Sequence, residues 1–270
     1  MKVILVGPGR AGMSLGIALT EAGHRIVGVV ARSEATGSAE RLGTEVLGPD
    51  SPLPPADLVV VAVGDEAIAE VAGSVARRVT HVGGAVHLSG AVPVSALHPF
   101  AARGIGVGAF HPLQSLPDPD RGAQALAGSA VAITTTDPDL HERLQGLASD
   151  LAMTWFDLGD DHRALYHAAA SVASNAVVAA LWLADRLFEA ASVDPELALP
   201  MVEKVVSHSF GGGAAAAITG PVARGDMATV TAQIDAVRSA DPEVLDEFLA
   251  ALRLIAGAAG RREEIAEVIS

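Results

Sequence analysis

Short apolar runs separated by helical patterns occupy the first 159 residues of the chain. The runs are rich in β-branched and aliphatic residues, as strands buried on both faces are. They cover residues 3–6, 26–30, 44–47, 57–63, 85–88, 106–110, 130–134 and 154–158. Segments between them, such as 13–22 and 66–79, carry apolar residues at helical spacing. Strands that alternate with helices predict an α/β fold with a doubly wound, mostly parallel sheet.

The pattern changes after Gly159-Asp160-Asp161, and no further strand is predicted. Residues 162–191 form one long helical pattern that is apolar nearly all round, so other protein must cover it. Polar side chains within the pattern and charges on both sides of it favour a helix buried in protein over a membrane span. We therefore predict one domain over residues 1–159 and an all-helical domain over residues 160–270. A second copy of the chain is expected to complete the cover of the long helix, which predicts a homodimer.

A glycine-rich turn directly follows the first predicted strand. It reads Gly7-Pro-Gly-Arg-Ala-Gly12 and leads into a predicted helix, which is the GxGxxG fingerprint in its strand–helix context. Gly7 permits the tight turn, Gly9 lets the backbone approach a pyrophosphate, and Gly12 lets the helix pack close to the strands. The stretch predicts a Rossmann domain that binds a dinucleotide, the alternative being a Rossmann fold with an empty site. The predicted contacts are Gly7, Gly9, Arg10, Ala11 and Gly12.

The end of the second strand distinguishes NADP from NAD. An NAD site usually has a carboxylate there, bonded to the ribose 2′-hydroxyl. Here Ala31 is followed by Arg32 and Ser33, a cation and a hydroxyl, with Glu34 one residue further on. A guanidinium can hold a 2′-phosphate through two charge-assisted hydrogen bonds, whereas a carboxylate would repel it. The residues therefore predict NADP, with Arg32 and Ser33 at its 2′-phosphate.

Composition narrows the classes of partner and location. The formal net charge of -14 argues against nucleic acid and anionic membranes as partners. The chain has no cysteine, which excludes disulfides and thiol nucleophiles and fits the cytoplasm. A core strand begins almost at the first residue, so no signal peptide is expected. No spacing of histidines and carboxylates suggests a metal site.

Residues just past the predicted strands are the candidates for chemistry, because ligands of open α/β sheets lie at the carboxyl ends of strands. Gly64-Asp65 and Ser89-Gly90 are predicted to contact the cofactor, although Asp65 would equally suit a helix cap and Ser89-Gly90 an ordinary turn. His111 is predicted to follow a strand, with Gln114 nearby as a substrate contact. Its imidazole can give a proton to a carbonyl or imine during hydride delivery, or it can merely order the loop.

Three polar residues of the long helix share a face at spacings of four, namely His167, Ser171 and Asn175. Buried polar groups need partners, so the stripe either faces the cofactor cleft, which we favour, or bonds neighbouring helices. Arg224, in the Gly220–Asp226 loop, is a candidate for holding a substrate carboxylate or is a surface residue. We predict His111, His167 and Asn175 as catalytic residues, and Gln114, Ser171 and Arg224 as substrate contacts.

The motifs together resemble a known family. They are the glycine fingerprint, Ala31-Arg-Ser33, His111-Pro-Leu-Gln-Ser115, Tyr166-His-Ala-Ala-Ala170, Ser174-Asn175 and Thr219-Gly-Pro-Val-Ala-Arg-Gly-Asp226. In this order they are similar to two-domain Rossmann-like proteins whose C-terminal helical domain was long of unknown function. That family resembles the 6-phosphogluconate dehydrogenase-like superfamily, which includes ketopantoate reductase, pyrroline-5-carboxylate reductase and prephenate dehydrogenase. The resemblance implies a homodimer formed through the helical domain.

One residue departs from the better-known relatives. Ketopantoate reductase and the hydroxyacid dehydrogenases have Lys-x-x-x-Asn on the long helix, where this chain has Ser171 and Asn175. A serine cannot protonate an alkoxide as an ammonium can, so His111 or His167, or a water held by them, must do so. The resemblance implies an NADPH-dependent reductase of a small 2-keto or imino acid, with ketopantoate the leading substrate. The alternatives are a prephenate- or arogenate-type dehydrogenase and a catalytically silent NADP sensor or scaffold.

Overall fold

The computed structural model describes residues 1–32, 35–48 and 50–269. The chain divides into two compact units, Met1–Ser171 and Val172–Ser270. The alternation of strands and helices, on which the predicted boundary near residue 159 rests, ends in the first unit at Asp157.

The first unit is built on a mostly parallel sheet, as predicted. Eight strands are seen among the described residues, in the order β3-β2-β1-β4-β5-β6-β7-β8. β6 and β7 pair antiparallel, and the other neighbours pair parallel. The strands are β1 Lys2–Val6, β2 Arg25–Val30, β3 Val46–Leu47, β4 Leu58–Val61, β5 Ala85–His87, β6 Val107–Leu113, β7 Ala130–Thr135 and β8 Thr154–Asp157.

Helices cover both faces of the sheet. They are α1 Arg10–Glu21, α2 Thr36–Arg41, α3 Ile68–Arg78, α4 His98–Ala101, α5 Pro119–Leu126 and α6 Pro138–Asp150. Helix α7, Arg163–Ser171, follows β8 and ends the unit. β1 shows why two layers are needed, since side chains alternate between the faces of a strand. Val3 and Leu5 belong to a core that includes α1 and α6, whereas Ile4 and Val6 belong to a core that includes α3. All four are at most 1% exposed, which explains the continuous apolar run.

β6 is longer than the sequence predicts. The predicted strand ended at residue 110, with His111 just past it, but the observed strand continues to Leu113. His111 lies within it, opposite Ala132 of β7. The antiparallel pairing with β7 extends β6 beyond the point where its parallel neighbour β5 ends. The predicted end of this strand was therefore wrong by three residues, and His111 does not follow the strand.

A continuous helical segment, Asp160–Ala190, links the two units. A 3-10 turn at Asp160–His162 precedes α7, a π-helical stretch follows at Val172–Ala176, and α8 covers Val177–Ala190. Among the described residues this is the one helix that is long and apolar enough to cross a membrane, with a mean hydropathy of 1.4. Only 6% of the 18-residue stretch that meets this test is buried. The single chain therefore does not supply the protein cover that the sequence predicts for the helix.

The second unit is helical, as predicted. It continues from α8 with α9 Leu199–Gly212, α10 Ala214–Ala217, α11 Pro221–Arg224, α12 Met227–Ala240, α13 Leu245–Ala259 and α14 Arg262–Val268. Val230, Ile234, Leu252 and Ala256 pack into a core between α12 and α13. In contrast, α8 and α9 carry large exposed apolar side chains, of which Phe210 is 88% exposed.

Candidate functional site

The glycine-rich turn places its three glycines in three different environments. Gly7 has a φ of 92°, a left-handed conformation that disfavours other residues, and a Cβ there would lie 2.6 Å from the Ala62 carbonyl oxygen. A Cβ on Gly12 would lie 2.2 Å from the Gly7 carbonyl oxygen, so only glycine lets α1 pack this closely. Gly9 precedes the first residue of α1, and a Cβ on it would meet nothing within 4 Å.

A cleft of about 830 Å³ opens beside this turn, within the size range of small-molecule sites. The residues that line it include Gly7, Gly9, Arg32, Ser38, Gly64 and Ser74. The exposed N-terminus of α1 leaves backbone N–H groups free to face an anion, as phosphate sites require. The open space at Gly9 is where a diphosphate group would fit. Ser33, predicted to contact the 2′-phosphate, lies outside the described residues.

Three aromatic side chains lie together near the carboxyl end of β5, and we call them the imidazole–phenol cluster: His111 of β6 and Tyr166 and His167 of α7. The Nδ1 atom of His111 lies 2.9 Å from the Tyr166 hydroxyl. The ring of His111 makes edge contacts with Tyr166 and His167, at centroid distances of 5.4 and 5.8 Å. The cluster brings two of the predicted catalytic residues together.

Gly90 is the backbone against which the two imidazoles pack. A Cβ on it would lie 2.5 Å from Nδ1 of His167 and 2.8 Å from Nε2 of His111. Both distances are too short for a carbon atom, so the pair of rings requires glycine here. Nδ1 of His167 is buried and has no hydrogen-bond partner in the described part of the chain. Such a group in a native fold calls for an explanation, and a ligand atom is one.

Burial sets the protonation states of His111 and Tyr166. Burial, with smaller contributions from the neighbouring His167 and Arg163, which disfavour a second positive charge, lowers the pKa of His111 to about 4. It also raises the pKa of Tyr166 to about 12. At neutral pH the imidazole of His111 and the phenol of Tyr166 are therefore both uncharged. His87, in β5, is fully buried and has a pKa lowered to about 4 by burial and by Arg163.

Arg163 fixes the turn that carries Gly90. Its side chain is 1% exposed and donates to the carbonyl oxygens of Ser89 and Val92 and to Oγ1 of Thr134. Asp160 lies 3.9 Å from its Nε atom. A buried guanidinium is costly unless such partners satisfy it. Arg163 thus joins the turn after β5, strand β7 and helix α7 into one frame around the cluster.

Comparisons with known proteins identify the two parts of the chain. The Rossmann-like domain profile matches residues 1–112, and the profile of a domain of unknown function, DUF2520, matches residues 129–253. The chain pairs a Rossmann-like domain with a DUF2520 domain. His111 falls in the Rossmann-like match and Tyr166 and His167 in the DUF2520 match, so the cluster takes residues from both. No curated protein matches the chain by sequence.

Solved structures share this fold along nearly the whole chain. A Bacteroides fragilis protein provisionally described as an NADP oxidoreductase has a TM-score of 0.80 and 22% identity, over 95% of this chain and 98% of that one. Imine reductase from Myxococcus stipitatus, in complex with NADP+, has a TM-score of 0.66 and 16% identity, over 100% of both chains. Synechocystis arogenate dehydrogenase has a TM-score of 0.54 and 18% identity, over 98% of this chain and 99% of that one.

Other predicted residues of the Rossmann-like domain have local partners. The Ser89 hydroxyl accepts hydrogen bonds from the N–H groups of Ala91 and Val92, as an ordinary turn would require. Gln114 is exposed and uses its side-chain amide to bond the backbone of Ala125 and Ser115. Asp65 does not cap the next helix with its side chain, and its carboxylate is exposed.

The predicted residues of the DUF2520 domain are spread over several elements. Ser171 is the last residue of α7, and Asn175 lies in the π-helical stretch and is exposed. The α-helical spacing that grouped Asn175 with His167 and Ser171 is therefore interrupted. Arg224 is exposed and ends α11, a short helix where the sequence predicts a loop.

Two residues of the site escaped the sequence prediction. Tyr166 was noted on the long helix without a role, and Arg163 was not singled out. A signal was present, because Arg163, Tyr166 and His167 stand at i, i+3 and i+4, which places them on one helix face. A cation at the start of an apolar helix is ordinarily solvated, so the residue type alone does not indicate a buried role for Arg163.

Proposed function

We propose that the chain is an NADPH-dependent oxidoreductase that reduces a small 2-keto or imino acid. The observation that carries the proposal is the imidazole–phenol cluster, set against the glycine turn after β5 in the same unit as the glycine-lined cleft. Proton-transfer groups beside a strand end are what reduction of a carbonyl or imine needs. The names of the structural neighbours, which are NADP oxidoreductases and an imine reductase, support the same class.

The residues of the cleft fit the phosphates of NADP. Gly9 leaves room for the diphosphate at the N-terminus of α1, where the helix dipole favours an anion. Arg32 lines the other part of the cleft, is exposed, and occupies the position where an NAD site has a carboxylate. Arg32 would hold the 2′-phosphate, which makes NADPH the preferred coenzyme.

When bound, NADPH would supply the hydride. The chain's part is to hold the substrate and to deliver a proton to the oxygen or nitrogen on which charge develops. His111 and His167 are the candidates for that proton, since no lysine occupies the position it has in related reductases. The buried Nδ1 of His167 would hydrogen-bond the substrate.

The remaining roles are proposed from the sequence. Asn175 would orient the reacting group, with Ser171 and Gln114 as further substrate contacts, and Arg224 would hold a carboxylate. Ketopantoate is the leading substrate. We also propose a homodimer, because the exposed apolar side chains of α8 and α9 need a protein cover. The cysteine-free sequence supports a cytoplasmic location for it.

A second candidate is oxidation by an arogenate- or prephenate-type dehydrogenase. The neutral state of His111 favours it, because an unprotonated imidazole can accept the proton of a substrate hydroxyl. The fold likeness to an arogenate dehydrogenase supports the same alternative.

The test is a coenzyme-coupled assay over a panel of 2-keto acids, cyclic imines and their reduced forms, with NADPH, NADH and the oxidised coenzymes. We expect NADPH oxidation with at least one keto or imino acid and a loss of about 10²–10⁴-fold in kcat for His111→Ala. Turnover only from the reduced substrates with NADP+ would favour the dehydrogenase. NADP binding with no turnover in either direction would refute both and favour a sensor.

A further inference from the structure

The hydrogen bond between His111 and Tyr166 gives the imidazole a defined orientation. Nδ1 faces the phenol oxygen at 2.9 Å, and Nε2 faces Gly90, at the turn after β5. A phenol is the natural donor in this pair, so Nδ1 accepts the Tyr166 proton and the imidazole proton resides on Nε2. Nδ1 of His111 thus contacts a proton source, and Nε2 lies against the turn after β5, where the proposed function places the substrate.

Burial keeps both members of this pair uncharged at neutral pH, and the surrounding charges modify its effect. His167, Arg163 and His87 oppose a positive charge on His111, and Asp65 favours one. Burial outweighs the attraction of Asp65, which leaves the pKa of His111 at about 4. A neutral imidazole that gave up its only N–H proton unaided would become an imidazolate anion, a very strong base. His111 therefore needs a second proton to act as a donor.

We propose, on the basis of the proposed reduction, that Tyr166 is the proton source and that His111 relays its proton to the substrate. The Nε2–H bond of His111 breaks as the new O–H or N–H bond of the product forms. In the same step the O–H bond of Tyr166 breaks and Nδ1 gains that proton, so His111 stays neutral and Tyr166 becomes a phenolate. Afterwards Nε2 takes a proton from water and Nδ1 returns its proton to the phenolate.

The positive charge of Arg163 stabilises the phenolate form of Tyr166. This charge lowers the pKa of Tyr166, against the larger effect of burial, which raises it. The Arg163 guanidinium cannot move away, because three backbone and side-chain oxygens hold it. An alkoxide formed from a carbonyl is more basic than a phenolate with a pKa of about 12, so the relay runs in the favourable direction.

The chain offers an unusually clean test because Tyr166 is its single tyrosine. Growth on fluorinated tyrosines changes only this phenol and lowers its pKa in graded steps, with the hydroxyl kept in place. We expect the alkaline limb of the kcat–pH profile to move to lower pH by the same steps. A limb that does not move would overturn the relay, since a purely structural hydrogen bond would not set it.

Two variants complete the comparison. Tyr166→Phe should lower kcat by about 10- to 100-fold and abolish the alkaline limb. Phe156→Leu is the matched control, because it removes an edge contact with the Tyr166 ring and leaves the hydroxyl. Its alkaline limb should stay at the wild-type pH. A limb that moves equally in Phe156→Leu would contradict the relay.

A readout that needs no turnover tests the pair itself. The phenolate absorbance of Tyr166, or of its fluorinated form, can be titrated without substrate, since the two tryptophans do not ionise. In His111→Ala the phenol pKa should fall towards its ordinary value, and an unchanged pKa would overturn the pairing. An inactive wild-type enzyme would refute the proposed function, whereas an active enzyme with an unmoved limb would refute only the relay.

Discussion

The glycines of the fingerprint allow binding and folding to be perturbed separately. In Gly12→Ala the new methyl group meets the Gly7 carbonyl oxygen at 2.2 Å and the Ala62 Cβ at 3.0 Å. The first of these is backbone, which cannot turn away. Overpacking of this kind costs about 1–3 kcal/mol, from which the helix propensity of alanine recovers about 0.5–1 kcal/mol. A net cost of this kind shifts Tm by about 2–4 °C per kcal/mol. We therefore expect Gly12→Ala to lower the Tm of the ligand-free protein by about 4 °C.

Gly9→Ala should behave in the opposite way. Its methyl group meets nothing within 4 Å, and the backbone at Gly9, with φ -75° and ψ -171°, is one that alanine adopts freely. The Tm of the ligand-free protein should stay within about 2 °C of wild type. The methyl group would enter the space proposed for the diphosphate, so the affinity for NADPH should fall about tenfold or more, equivalent to about 1.4 kcal/mol.

Thermal unfolding with and without NADPH measures both the stability of the ligand-free variant and its affinity for NADPH. At 100 times its Kd, a ligand stabilises the folded state by about 2.7 kcal/mol, and a tenfold weaker Kd cuts this to about 1.4 kcal/mol. The NADPH-induced rise in Tm should therefore be roughly halved in Gly9→Ala. An unchanged rise in that variant, or a loss of Tm without ligand as large as that of Gly12→Ala, would refute the assignment of the diphosphate site.

Three further predictions concern single residues. Arg32→Ala should weaken NADPH binding about 10- to 100-fold and NADH binding little, as calorimetry can measure, whereas Arg25→Ala at the other end of β2 should change neither. Gly90→Ala should lower kcat/KM at least tenfold by displacing the two imidazoles, whereas Gly146→Ala, where a Cβ meets nothing within 4 Å, should not; equal effects would contradict this. His87 is buried neutral with a pKa of about 4, so its contribution to the free energy of unfolding is complete above about pH 6.5 and is lost as the pH falls towards 4. His87→Leu should remove that loss, of which about 2 kcal/mol falls between pH 7 and pH 5, as denaturant titrations at the two pH values can measure; an unchanged difference between them would contradict the prediction.

Local patterns were sufficient for most of the fold. Runs such as Val3–Val6 are apolar at every position because both faces of the sheet are covered. Such a run can be recognised in the local sequence without knowledge of distant contacts. The end of β6 was not predictable in this way. Its extension through His111 depends on antiparallel pairing with β7, which begins 19 residues after His111 in the sequence.

The arrangement of the site was harder to predict than the fold, because contacts between residues far apart in the sequence determine it. The hydrogen-bond partners of Arg163 lie 29 to 74 residues away, and Tyr166 contacts His111 across 55 residues. Spacing along a helix places residues on a face but does not say what that face meets. The π-helical stretch at Asn175 is another such case, because its amino acids do not differ in kind from those of the α-helices around it.

Hydride transfer is the central claim, and NADPH carrying deuterium at C4 of the nicotinamide measures it directly. The protein is incubated with the keto and imino acid panel, and the products are analysed by mass spectrometry. The account predicts one deuterium at the former carbonyl or imine carbon of at least one product, in an amount that falls with His111→Ala. Tight binding of NADPH with no deuterium in any product, from either face of the nicotinamide, would contradict it.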